Sequence, residues 1–77
     1  MTLADSKINI SYKIKDICAP SQNIENRFFQ LGFTLGTSLI LKRKAPIFGD
    51  PLLFEVGHAQ IALTKSEASY VKVEVIK

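Results

Sequence analysis

The sequence predicts a mainly β domain: a small, partly open β-barrel of short strands with one short helix. Three observations predict it. Apolar and polar residues alternate with period 2 in several short stretches, one stretch (Ala19 to Phe33) switches to helical spacing, and glycine or proline turn residues separate them. Five strands and one helix are too few for a two-sheet sandwich. One strongly bent sheet that curls on itself buries one face of each strand best. The order strand-helix-strand-strand-strand-helical turn-strand favours an SH3-like barrel over an OB-fold, whose helix usually lies between its third and fourth strands.

The elements follow in chain order. The 77 residues make one domain, 1–77, with 1–6 expected as a loose N-terminal tail. Ile8, Ile10, Tyr12 and Ile14 alternate with Asn9, Ser11, Lys13 and Lys15, a strand with one buried face. Ile17 breaks the alternation and predicts a bulge or the strand's end. Ser21 is placed to N-cap a helix in which Ile24, Phe28 and Leu31 share a face. Gly32 is the expected left-handed residue after it, with Phe33 packing back on Phe28.

Gly36 then turns the chain into a strand from Thr37 to Lys44, and Leu52, Phe54 and Val56 line one side of the next. Gly57-His58 turns it into Ala59–Leu63. One helical turn within Thr64–Tyr70 precedes the last strand, where Val71, Val73 and Val75 alternate with Lys72 and Glu74. Between the second and third strands lies "KAPIFGDP". Pro46 and Pro51 fix φ and remove backbone donors, and Gly49-Asp50 supplies turn geometry. A hairpin needs two such residues, so the full set predicts a loop held in one shape.

The hydrophobic content of 47% excludes a disordered chain. No apolar run approaches the roughly 18–20 residues that cross a bilayer. With a single cysteine there is no disulfide framework, so a reducing, cytoplasmic setting is expected. The net charge of +3 is modest, and only Lys42, Arg43 and Lys44 cluster. They read as a solvated strand end or as a patch for an acidic surface.

Chemistry is harder to find. One Cys and one His cannot supply the three or four ligands of a transition-metal site, so no metal and no cofactor are expected. His58 reads as a surface turn residue, and Cys18 as a small core hydrophobe. No triad, carboxylate pair or phosphate loop is present, and the chain reads as non-enzymatic. Nucleic-acid binding would call for aromatics exposed among basic residues. Tyr12, Phe28 and Phe54 instead fall on core faces; Phe48, in the proline loop, is the aromatic expected to be exposed.

In order along the chain stand Leu31-Gly32, Gly36-Thr37, basic Lys42–Lys44, Ala45-Pro46, Gly49-Asp50-Pro51 and a late Lys65-x-Glu67-Ala68. This series resembles the FeoA family, small cytoplasmic accessory proteins of bacterial ferrous iron uptake. Leu35 stands where the family usually has Pro, Thr64 where Arg is common, Gly57-His58 in place of Arg-Gly, and Asn9 in place of a turn glycine. The resemblance implies an SH3-like barrel that acts as a protein-interaction module on FeoB, a membrane transporter with a cytoplasmic GTP-binding part. Iron association would be weak or indirect. The expected contact surface joins Leu31, Gly32, Gly36 and Thr37 to Lys42, Arg43, Lys44, Pro46, Phe48, Asp50 and Pro51. The alternative is a stand-alone regulatory domain that senses a transition metal or binds nucleic acid.

Overall fold

In the computed structural model, which describes residues 1–46 and 48–76, a 3₁₀ turn (Leu3–Asp5) precedes β1 (Ser11–Ile17). Then come α1 (Gln22–Gln30), β2 (Ser38–Lys44), β3 (Leu52–Val56), β4 (Ala59–Leu63), α2 (Lys65–Ala68) and β5 (Val71–Val75). The strands form one antiparallel sheet of order β4-β3-β2-β1-β5. Its register shifts between Ile14 and Asp16 against β5, and between Leu41 and Arg43 against β3. Irregularities of this kind bend a strand sharply, which lets β1 and β2 each serve two parts of a curled sheet.

The core is built from one face of each strand, as the alternation predicts. Tyr12 and Ile14, Leu39 and Leu41, Leu52 and Phe54, Leu63, and Val71 and Val73 are all buried. The helix adds Phe28 and, just past its end, Phe33.

Ile8 and Ile10 correct the sequence reading, because both are exposed. Asn9 adopts φ 66° and donates its N–H to the Leu41 carbonyl at 2.8 Å, so the chain turns over there and the strand starts only at Ser11. Period-2 alternation holds only while the backbone stays extended.

Residues 1–6 are not a loose tail either. Leu3 is 0% exposed, Thr2 bridges Lys72, and the Met1 carbonyl accepts the Val73 N–H at 3.1 Å. The 3₁₀ turn packs on β5 and on α2, and α2 packs on β4. The opening residues thus help fill the gap between the two edge strands of the sheet. An apolar residue that completes a gap between distant elements shows no local periodicity, so the pattern alone could not find it.

Helix α1 has the ends its sequence predicts. Ser21 Oγ accepts the Ile24 N–H at 3.3 Å. At the other end Phe33 N–H reaches the Phe28 carbonyl (2.9 Å) and Gly32 N–H the Phe29 carbonyl (3.0 Å), the paired bonds of a Schellman ending. The Phe28 and Phe33 rings stack at 5.8 Å. Gly32 stands at φ 87° with open space where a Cβ would go, so any penalty for a side chain there comes from the backbone alone. Gly32→Ala is expected to cost about 1–2 kcal/mol in urea unfolding, and Gly32→Asn visibly less, since asparagine tolerates the left-handed region.

Candidate functional site

The proline loop between β2 and β3 is held from outside itself. At its neck the Ala45 N–H donates to the Pro51 carbonyl at 3.0 Å. Lys65 then grips it twice: its backbone N–H donates to Asp50 Oδ1 and its Nζ to the Phe48 carbonyl, both at 3.0 Å. Phe48 and Gly49 adopt left-handed φ values of 60° and 65°. For a bulky residue that geometry is uncommon and persists where the surroundings over-determine it. The carbonyl of Phe48 is bound by Lys65, while the residue is 90% exposed. Lys42, Arg43 and Lys44 on the adjoining strand end are also exposed. The edge is therefore a fixed aromatic knob with cations beside it.

The late Lys-x-Glu-Ala stretch explains this rigidity. Thr64 Oγ1 accepts the Glu67 N–H (3.1 Å) and Glu67 Oε1 accepts the Thr64 N–H (3.0 Å), a reciprocal capping box. Glu67 Oε2 pairs with Arg27 of α1. Ala68 is fully buried. Lys65 therefore holds the loop, Glu67 caps α2 and ties it to α1, and Ala68 seats α2 on the core. Thr64, which departs from the family pattern, supplies the cap.

The turn after α1 is fastened differently. Gly36, at φ 86°, donates its N–H to the Ile14 carbonyl, and Ile14 N–H donates to the Thr37 carbonyl, both at 2.9 Å. Gly36 and Thr37 thus stitch the turn to β1. Leu31 is half-buried and packs against the core, whereas Gly32 is exposed. The expected contact surface is not continuous: Leu31, Gly32, Gly36 and Thr37 precede β2, whereas Lys42–Lys44, Pro46, Phe48, Asp50 and Pro51 lie at its far end. The strand β2 runs from one group to the other and ends in the basic trio, so its full length, about 20 Å of extended chain, lies between Thr37 and the loop that starts after Lys44.

At the turn end the structure shows a groove that the sequence reading missed. It has a volume of about 370 Å³ and lies between β1, α1 and the residues after α1. Ile17, Phe29, Phe33 and Leu35 supply its apolar lining, and Asp16 and Glu25 its carboxylates. Phe29 is 70% exposed and Leu35 68%. A signal was present: Phe29 falls outside the Ile24–Phe28–Leu31 stripe, and Leu35 is apolar in a turn. Close by, Cys18 is exposed rather than a core residue, its Sγ 3.8 Å from Asp16 Oδ2. It follows the last residue of β1, where the strand leaves the core. His58 is exposed in the β3–β4 turn. Among the described residues, no three His, Cys, Asp or Glu side chains converge as a metal site, and no helix is long and apolar enough to cross a membrane.

Comparison with known proteins agrees with this architecture. The FeoA domain profile matches residues 1–75. No curated protein matches the chain significantly. Among solved structures, FeoA of Stenotrophomonas maltophilia, a prokaryotic SH3 domain protein crystallised with zinc, is 34% identical with a TM-score of 0.84. The match covers 96% of this chain and 89% of that one. Iron(II) transport protein A of Clostridium thermocellum is 28% identical with a TM-score of 0.90. It is matched over 99% of this chain, which spans just under half (46%) of that protein. The manganese regulator SloR shares the fold at 20% identity and a TM-score of 0.82, over 99% of this chain and 34% of that one. The fold is SH3-like, and with a profile match running from residue 1 to residue 75 the chain belongs to the FeoA family.

Proposed function

We propose that this protein is a cytoplasmic, non-catalytic accessory factor of ferrous iron uptake that docks on the cytoplasmic GTP-binding part of a FeoB-type transporter. Membership of the FeoA family supports the pathway. The observation that carries the docking mode is the double grip of Lys65 on the proline loop, which presents Phe48 at 90% exposure. A knob already held in shape loses little conformational entropy when it is buried, so more of its burial appears as affinity. Exposed aromatics that fill a partner's pocket are typical interface hot spots, and Lys42, Arg43 and Lys44 would favour an acidic rim around that pocket. Iron is the cargo of the system, and no site on this chain is assigned to it.

Calorimetry with the whole cytoplasmic region of the transporter, in each nucleotide state, tests this reading. Phe48→Ala is expected to weaken binding about 30-fold, the effect of losing roughly 2 kcal/mol at a hot spot. Absence of binding in every nucleotide state, together with unchanged iron uptake in a deletion strain, would overturn it. A regulatory domain that senses a metal or binds nucleic acid has behind it the basic trio Lys42–Lys44 and the fold likeness to the manganese regulator SloR.

A further inference from the structure

The loop and the groove have complementary surfaces and lie at opposite ends of β2. The loop offers an exposed Phe48 beside exposed Lys42, Arg43 and Lys44. The groove offers an apolar lining with Asp16 and Glu25. Among the described residues the ion pairs are Lys15–Glu74 and Arg27–Glu67, so neither the loop cations nor the groove carboxylates are neutralised by a salt bridge there. Asp16 is occupied only locally, accepting the Ile17 N–H at 2.8 Å and facing the Cys18 thiol.

The groove also has room for a guest. Its volume of about 370 Å³ is enough for an aromatic side chain. The two features lie at opposite ends of β2, the groove residues before it and the loop after it.

From this we infer that the Phe48 knob of one copy seats in the Asp16–Glu25 groove of a second copy, with Lys42–Lys44 facing the carboxylates. The contact joins two different patches, so it either closes as a reciprocal pair, each knob in the other copy's groove, or runs head to tail with a free knob at one end and a free groove at the other. One loop in one groove buries less than a standard interface, so the self-association is expected to be weak and concentration-dependent. The contact goes beyond the transporter reading and stands without it, since it involves this chain alone.

Sedimentation equilibrium of the purified full chain, from low micromolar to millimolar and at low and high salt, tests it. The wild type is expected to gain mass with concentration, less so at high salt because the pairing charges are exposed. Phe48→Ala removes the knob and Phe29→Lys spoils the groove; both residues are exposed, so both variants should fold, as circular dichroism will show. Each alone should stay monomeric across the range. Mixed, they should form a one-to-one pair and grow no further, because the single intact groove is on one variant and the single intact knob is on the other. A monomeric wild type at millimolar concentration overturns the inference. So does association that survives either substitution, or a mixed sample that stays monomeric. Loss of transporter binding in Phe29→Lys with a monomeric wild type would assign the groove to the transporter instead.

Discussion

Phe28→Ala is expected to lower stability by about 3–5 kcal/mol, the usual cost of emptying a large aromatic site in a core. Phe28 is 1% exposed and stacks on Phe33, so the loss also frees the ring that closes the helix. A domain of this length holds only about 4–12 kcal/mol in all, so the variant should lose roughly a quarter or more of its stability. Urea unfolding followed by far-ultraviolet circular dichroism measures this. A midpoint within a few tenths molar of the wild type would mean that the pair is not a core element. Phe28→Leu keeps most of the volume and should recover the larger part of the loss.

The second large effect is at the start of the chain. Leu3→Ala is expected to cost about 2–5 kcal/mol, as for a leucine deep in a core, because Leu3 is fully buried between elements from the two edges of the sheet. If residues 1–6 were a loose tail, the same substitution would be silent. Hydrogen exchange separates the two pictures further: the Val73 amide, which donates to the Met1 carbonyl, should exchange faster in the variant.

Much of this fold can be read from local pattern, because its strands and helix announce themselves within a few residues. The helix was legible to both ends, since Ser21, Phe28, Gly32 and Phe33 act on one another across short spans. The loop was legible as a fixed shape from its prolines and its Gly-Asp pair. What holds it was not, because Lys65 lies 15 positions beyond Asp50 and nothing in a lysine marks its target. Ile8 and Ile10 misled for the opposite reason: a perfect alternation continued across Asn9, where the backbone inverts. The groove needed three separate segments to come together. Its traces in the sequence were faint, Phe29 standing off the helix's apolar stripe and Leu35 sitting in a turn.

The clasp on the loop also sets an order of events in synthesis. Asp50 leaves the ribosome fifteen residues ahead of Lys65, an interval of roughly one to three seconds at about 5–20 residues per second. Through that interval the loop has its prolines but not its outer anchors, and Phe48 has no fixed bearing. Presentation of the knob thus reports that synthesis has reached α2, so a nascent chain broken off earlier carries the motif without the shape that a partner would recognise.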